Sequence, residues 1–292
     1  MAVGTEPGPA AKLDVPAGTG NLTLRILSAL VLAPLAVAAA YAGHWPFAIF
    51  WMVAALLVLW EWIKLIAGHG HLLMFSSCGT ALVVAGLIAM RPRPVAAMLL
   101  VVLGALASLI FVPPLRRTWI AAGVLYAGAM VLAPLYLRLD PQYGLQAILL
   151  IFAVVWSTDV LAYFAGRSFG GPKLCAPISP KKTWSGAIVG TAGGVLAAIA
   201  LQRIFAQLDW GVFDAAAWGG LGLLLSVASQ AGDLLESWIK RRFGAKDAST
   251  LIPGHGGVMD RLDGFWAAAF VAGLIGVAHA GFRHAGLGLL VW

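Results

Sequence analysis

The chain has 292 residues, of which 61% are hydrophobic and only 11% are charged, and its mean hydropathy is +0.91. A soluble domain carries about 25% charged residues, so this composition excludes a single water-soluble core and makes lipid the solvent for much of the surface. The formal net charge of +7 is typical of basic cytoplasmic loops in a membrane protein, and we expect no nucleic-acid partner.

The amino-terminal residues 1–21 are rich in Gly, Pro and Ala and have no hydrophobic period. They predict a disordered cytoplasmic head. The first apolar run ends near residues 40–42 in Ala-Tyr-Ala, which resembles a signal-peptidase site. We nevertheless expect no cleaved signal, because the head is long, the run is long enough to span a membrane and further spans follow. Residues 22–292 are therefore predicted to form a single transmembrane domain.

The apolar runs are long and lack strict alternation, which favours helices over strands. We predict an all-α, polytopic integral membrane protein in which each span has about the 17–25 residues needed to cross the hydrocarbon. The nine predicted helices cover residues 22–42, 46–67, 72–90, 95–112, 119–137, 145–166, 185–205, 217–239 and 263–282.

The distribution of basic residues predicts the orientation of these helices. With the amino terminus inside, the cytoplasmic side receives 14 of the 19 Lys and Arg residues, and the positive-inside rule favours this topology. The cytoplasmic set is Lys12, Arg25, Lys64, Arg116, Arg117, Arg167, Lys173, Lys181, Lys182, Lys240, Arg241, Arg242, Lys246 and Arg261. The external set is Arg91, Arg93, Arg138, Arg203 and Arg283.

Two predicted cytoplasmic loops, residues 167–184 and 240–262, hold most of the polar chemistry of the chain. Beside the second loop, Asp233, Ser237 and Lys240 share one helical face through their spacing of three and four residues. Asp260 and Asp263 are three residues apart and also share a face. Ionisable residues at the edge of a span are costly, so we expect a functional site here, in a polar cavity at the cytoplasmic face.

The residue types of the second loop suggest a site for Mg²⁺ and phosphate. Mg²⁺ prefers one or two carboxylates together with waters and phosphate oxygens, and a Lys/Arg cluster supplies the counter-charge for a polyphosphate. His255 is followed by Gly256 and Gly257, which let the backbone approach an anion closely. Each feature also has a structural explanation, since basic clusters often anchor helix ends, Gly pairs form turns and a loop histidine often only donates a hydrogen bond.

The first loop places hydroxyls and cations just before the seventh predicted helix, where free backbone amides also favour an anion. These residues are Ser179, Lys181, Lys182 and Thr183. An interfacial anchor explains the same pattern equally well, because Lys beside Trp184 is typical of that depth. Asp159 is expected to be buried in an otherwise apolar span, and there the functional interpretation is preferred.

The segment from Ser237 to Asp263 resembles the signature of the phosphatidate cytidylyltransferase family. The matched positions are Ser237, Lys240, Arg241, Lys246, Asp247, His255, Gly256, Gly257, Asp260, Arg261 and Asp263. The stretch Asp159–Trp184 resembles the same family, most closely at residues 179–184. The chain departs from the family pattern at Ser185, where Glu is usual, and at Val160 and Leu161, where Thr-Gly is usual.

The resemblance implies an enzyme of phospholipid biosynthesis that transfers CMP from CTP to phosphatidic acid, giving CDP-diacylglycerol and pyrophosphate. It implies Mg²⁺ as cofactor, with a second cation such as K⁺, and a homodimer. It also places the protein in the bacterial inner membrane, surrounded by the lipid bilayer. The transmembrane domain is then a single catalytic domain whose two polar loops face the cytoplasm.

Motif position implies a role for each candidate residue. Asp233 and Asp260 would be the metal ligands. The catalytic set would be Asp260, Asp263, Lys246 and Arg261. The substrate-binding set would be Ser179, Lys181, Lys182, Thr183, Ser237, Lys240, Arg241, Asp247, His255 and Asp159.

Two other functions compete with this interpretation. A CDP-alcohol phosphotransferase would resemble Asp-Gly, two residues and Ala-Arg, but Asp263-Gly264 is followed by Phe265-Trp266-Ala267-Ala268. An ion transporter would place ionisable residues near mid-membrane, often within an inverted repeat. Here the charges gather at one face and no repeat is visible, so both alternatives are disfavoured.

Overall fold

A computed structural model describes residues 19–68, 71–91, 93–111, 114–211, 213–252 and 256–292. The predicted head up to residue 18, including Lys12, and the predicted site residue His255 lie outside the described residues. The first helix begins at Thr19, within the range predicted for the head.

The described residues form long helices at every position where a span was predicted. Their bounds are α1 Thr19–Ala42, α2 His44–Ala67, α3 Leu72–Ala89, α4 Pro94–Phe111, α5 Pro114–Arg138, α6 Gly144–Ser168, α7 Trp184–Gln207, α8 Ala215–Arg242 and α9 Met259–Ala280. A 3₁₀ turn, Phe282–His284, leads into a short helix, α10 Ala285–Leu290. The all-α fold is confirmed.

Of the helices in the described ranges, six are long and apolar enough to cross a membrane, namely α2, α3, α5 from residue 116, α6, α7 and α9. Two shorter apolar stretches lie in α1 and α4. Helix α8 is not among the six, and it ends in Lys240, Arg241 and Arg242. A polytopic membrane protein is therefore confirmed.

The two polar loops are shorter than the sequence predicts. The first contains a hairpin in which β1, Lys173–Cys175, pairs antiparallel with β2, Ser179–Thr183. These strands have only three and five residues, too few for a strand period to be recognised. In the second loop, α8 continues through Arg242 and α9 already begins at Met259, because cations suit a helix carboxyl end and Asp260 suits the first turn of a helix.

The helices pack as two groups. In the amino-terminal group, α2 and α4 pack against α5, and α3 packs against α4; in the carboxyl-terminal group α6, α7, α8 and α9 pack in chain order. Helix α5 contacts α9 and so joins the groups. On α7, a Cβ at Gly190 would lie 2.8 Å from the Thr158 carbonyl oxygen and one at Gly194 would lie 2.8 Å from Thr158 Oγ1. Small residues are thus required for the close approach of α6.

One end of the helical bundle brings together the ends of α2 and α8 and the starts of α5 and α9. There, Trp62 Nε1 donates a hydrogen bond to the Trp119 carbonyl oxygen at 2.8 Å, and the Trp119 ring lies 5.7 Å from that of Trp238. We call this end the site end. At the opposite end, Arg138 Nε donates to the Ala40 carbonyl oxygen at 2.6 Å.

Candidate active site

Three carboxylates converge at the site end of α8 and α9. Asp233 and Glu236 on α8 and Asp263 on α9 each offer an oxygen, and these oxygens lie within 4.8 Å of one another. Ser237 Oγ donates to Asp233 Oδ1 at 3.4 Å. The helical spacing thus brings Asp233 and Ser237 together as expected, and it adds Glu236, which the sequence analysis did not single out.

Lys240 connects this cluster to Asp260. Its Nζ lies 2.6 Å from Glu236 Oε2 and 2.5 Å from Asp260 Oδ1, and the Glu236 side chain is only 1% exposed. Glu236 Oε1 is buried without a hydrogen-bond partner among the described residues. A buried carboxylate oxygen without a partner is costly, so the position favours an additional cation.

Both carboxylate oxygens of Asp260 already have hydrogen-bond partners within the protein. While Oδ1 pairs with Lys240, Oδ2 accepts hydrogen bonds from the backbone amides of Ala248 at 3.0 Å and Gly257 at 2.7 Å. The predicted role of Asp260 as a metal ligand stays a prediction. Oxygens of Asp233, Glu236 and Asp263 lie within 4.8 Å of one another, and Asp260 interacts with Glu236 beside them.

The two polar loops meet at this site. Lys182, at the end of the hairpin, lies with its Nζ 2.5 Å from Asp233 Oδ2. Arg241 Nε donates to the Ile178 carbonyl oxygen at 3.4 Å and so ties α8 to the hairpin. Residues far apart in the sequence therefore form one polar region.

Thr183 and Ser185 hold the hairpin against the start of α7. Thr183 is 4% exposed, and its Oγ1 accepts a hydrogen bond from the Gly186 amide at 3.2 Å, which makes it the amino-terminal cap of α7. Ser185, which stands where the family usually has Glu, donates to the Gly170 carbonyl oxygen. A substrate contact by Thr183 stays a prediction, whereas its capping contact is part of the fold.

Asp159 lies on α6 and is exposed at the surface of the described chain, but protein atoms still surround much of its carboxyl group, so its burial within an apolar span stays a prediction. The neighbouring residues Val160 and Leu161 are also exposed, at 52% and 40%, because this part of α6 faces outward. Asp159 still interacts electrostatically with Asp233, Lys182 and Arg261. Its carboxylate therefore belongs to the edge of the charged region.

Most of the remaining predicted residues lie on the accessible side of the site. Ser179 is half-buried in β2. The exposed side chains are those of Lys181, Arg241, Lys246, Asp247 and Arg261. Their exposure leaves the four cations among them accessible to a phosphorylated ligand.

Sequence reasoning missed Glu61 of α2. This carboxylate is 0% exposed, accepts hydrogen bonds from the backbone amides of Val258 at 2.8 Å and Met259 at 2.7 Å, and accepts another from Ser249 Oγ. A signal was present in the sequence, because Glu61 is the one acidic residue between positions 15 and 139. An isolated charge within an apolar span is a functional candidate by default.

Comparisons with known proteins identify the family of this chain. A sequence model described as the cytidylyltransferase family matches residues 23–278, a range that contains every candidate site residue. The chain belongs to the cytidylyltransferase family. The resemblance found in the signature segment is therefore confirmed, and the protein is a cytidylyltransferase.

Individual cytidylyltransferases match over different lengths. A phosphatidate cytidylyltransferase of Brucella abortus biovar 1 (strain 9-941) is 42% identical over 265 residues, covering 89% of this chain and 95% of that protein. One from Haemophilus influenzae is 46% identical over 135 residues, covering 44% of this chain and 45% of its own length. One from Bacillus subtilis is 41% identical over 150 residues, covering 50% of this chain and 53% of its own.

Proposed function

We propose that this chain transfers CMP from CTP to phosphatidic acid and releases pyrophosphate, forming CDP-diacylglycerol for phospholipid biosynthesis. The names of the matched relatives support this proposal. The observation that carries it is the group formed by Asp233, Glu236 and Asp263, with Lys182 and Lys240 in ion pairs beside it.

The donor set fits Mg²⁺, and we propose a second cation such as K⁺ near it. Hard oxygen donors suit Mg²⁺, and the four carboxylates Asp233, Glu236, Asp260 and Asp263 exceed the two lysines paired with them. Asp233, Glu236 and Asp263 would hold the ion. A bound Mg²⁺ supplies neutralisation of the charge on the CTP phosphates.

The residues around this cluster have a positioning and electrostatic task. The nucleophile is an ionised phosphate monoester, so a strong general base is not required, and alignment of two anions with neutralisation of their charge is sufficient. The exposed cations Lys181, Lys246 and Arg261 would bind the phosphates of CTP and the leaving pyrophosphate. Lys182 would hold Asp233 in place through their ion pair.

An apolar cavity of about 620 Å³ supports a lipid substrate. Its lining includes Leu235 and Ile239, which flank Glu236 along α8, and Trp266 on α9. The lining is almost entirely hydrocarbon and aromatic, as acyl chains require. The phosphate of phosphatidic acid would therefore lie near the cations beside the carboxylate cluster, while a tail extends between the helices.

We further propose that the site end faces the cytoplasm of a bacterial inner membrane, because 14 of the 19 basic residues are assigned to that side. Cysteines introduced at Ala176 and Ala245, in a background without Cys78 and Cys175, should react with an impermeant reagent only from the cytoplasmic face. Labelling from the outside would overturn the orientation.

We also propose that the protein forms a homodimer. The mass of the purified protein in detergent, measured by light scattering, tests this proposal.

The central test is turnover of phosphatidic acid with each of the four nucleoside triphosphates by the purified protein in detergent. We expect CDP-diacylglycerol and pyrophosphate from CTP, loss of activity with EDTA and recovery when Mg²⁺ is restored. Activity that survives exhaustive chelation would contradict the metal proposal. Failure to consume CTP in the presence of both substrates and Mg²⁺ would contradict the proposed reaction.

A further inference from the structure

Glu61 lies in the amino-terminal half of the chain, yet all of its hydrogen bonds with described residues go to the segment that carries Asp260. The Val258 and Met259 amides and the Ser249 hydroxyl donate to its two oxygens. These amides belong to the start of α9, where backbone donors have no helical partner and the helix dipole favours a negative charge. Glu61 is therefore a capping carboxylate supplied by a different helix.

The turn held by Glu61 also positions Asp260. The Gly257 amide, which precedes the two amides bound by Glu61, donates to Asp260 Oδ2 at 2.7 Å. The other oxygen of Asp260 pairs with Lys240, which in turn pairs with Glu236. A continuous chain of contacts thus runs from Glu61 through the turn to Asp260 and the carboxylate cluster.

The space around this turn is narrow. A Cβ on Gly257 would lie 2.8 Å from Glu61 Oε1, so glycine lets the carboxylate reach the backbone. Consecutive amides of Gly257, Val258 and Met259 donate to Asp260 and Glu61. The anions held at the start of α9 are thus side chains of the protein, so these three backbone amides are not available to a substrate phosphate.

We propose that Glu61 is a positioning residue for cytidylyl transfer, which fixes the turn before α9 so that Asp260 and Lys240 keep their places beside the carboxylate cluster. This inference rests on the proposed function. Glu61 contacts no part of the carboxylate cluster itself in the hydrogen bonds of the described residues. Its effect on the reaction is exerted through the turn.

A matched control exists at the opposite end of the molecule. Asp140 is also buried, at 1% exposure, and accepts hydrogen bonds from the backbone amides of Gln142, Tyr143 and, across the fold, Leu287. Glu61→Gln and Asp140→Asn each replace a buried carboxylate that holds three donors with a neutral amide. In Glu61→Gln the side-chain NH₂ replaces one of the two oxygens and must face a backbone N–H donor, so one of the three hydrogen bonds is lost.

The experiment compares kcat and KM for CTP, per folded molecule, in monodisperse wild-type, Glu61→Gln and Asp140→Asn proteins. We expect Glu61→Gln to lose about ten- to a hundredfold in kcat, the equivalent of one hydrogen bond to a charged group, with a smaller change in KM. Asp140→Asn should keep its kcat within about twofold while its thermal midpoint falls. Equal kcat in the wild type and Glu61→Gln would overturn the proposal.

A milder variant keeps the test decisive if Glu61→Gln does not fold. Ser249→Ala removes one donor to Glu61 and leaves both backbone contacts in place, so we expect a loss of about two- to tenfold in kcat. An unchanged kcat in Ser249→Ala would then overturn the proposal. An inactive wild-type protein would instead contradict the proposed function, so the two failures are distinguishable.

Discussion

The two helical groups of this protein differ in their acidic residues and in how they pack. Helices α1–α5 contain a single acidic residue in the described chain, Glu61, whereas residues 139–292 contain nine. The first group is stabilised by apolar packing, with Trp51, Leu59 and Leu82 almost fully buried. The second group packs through glycines on α7 and carries the carboxylates at the site end.

The two groups also differ in how they compensate buried charge. Isolated charges there are costly, and the carboxyl-terminal group reduces the cost by pairing Lys240 with Glu236 and Asp260, and Lys182 with Asp233. Glu61 in the other group meets the cost with backbone amides. We therefore expect substitutions of the paired charges in the carboxyl-terminal group to change the kinetics, and substitutions in the apolar core of the amino-terminal group, away from Glu61, to change the stability.

The largest effect is expected in the carboxylate cluster. Asp263→Asn removes a charge from the group formed with Asp233 and Glu236, and turnover should fall at least about a hundredfold, because a metal-neutralised charge is worth several kcal/mol in the transition state. Asp209→Asn is the control, since Asp209 is exposed between α7 and α8 and has φ of 54°, a conformation that Asn tolerates. Comparable turnover in both variants would remove Asp263 from the site.

A smaller kinetic effect is expected at the ion pair that joins the two loops. Lys182→Gln breaks the contact with Asp233, and kcat/KM for CTP should fall about ten- to a hundredfold, the value of a charge-assisted hydrogen bond. Lys173→Gln is the matched control, because Lys173 is exposed on the paired strand of the same hairpin. If the two variants have the same kcat/KM, the hairpin is only a topological element.

The sequence predicts the apolar helices of this protein better than the contacts among its charged residues. Long hydrophobic runs locate α2 and α3 within two residues at each end, because membrane thickness leaves few alternatives. Helical spacing predicts Asp233 beside Ser237, and the signature motif includes both Lys240 and Asp260, which form an ion pair. The contact of Glu61 with Met259 joins residues 198 positions apart, and no local pattern reveals which distant helix caps α9.

The stability of the amino-terminal group should be separable from catalysis. Leu82 is 1% exposed on α3, so Leu82→Ala leaves a cavity and should cost about 2 kcal/mol or more. The thermal midpoint in detergent should fall while kcat per folded molecule stays within about twofold. Leu87→Ala, on the same helix but 40% exposed, should change neither quantity. A large kinetic loss in Leu82→Ala would contradict the division between the groups.

The smallest effect concerns Thr183, where a capping contact and a predicted substrate contact coincide. The hydroxyl oxygen accepts a hydrogen bond from the Gly186 amide and so caps α7. Thr183 as a whole is only 4% exposed. Thr183→Ala should therefore cost about 1 kcal/mol of stability. Thr183→Ser keeps the hydroxyl and should retain the stability.

Kinetics on the same two variants separates the two roles of Thr183. If the hydroxyl only caps α7, Thr183→Ala keeps kcat/KM for CTP close to the wild-type value once the folded fraction is corrected, because the cap and Lys182 are held by different contacts. If it also binds substrate, kcat/KM falls in Thr183→Ala and recovers in Thr183→Ser. The burial of the hydroxyl and its bond to α7 favour the first result, which would confine the binding role of the hairpin to its cations.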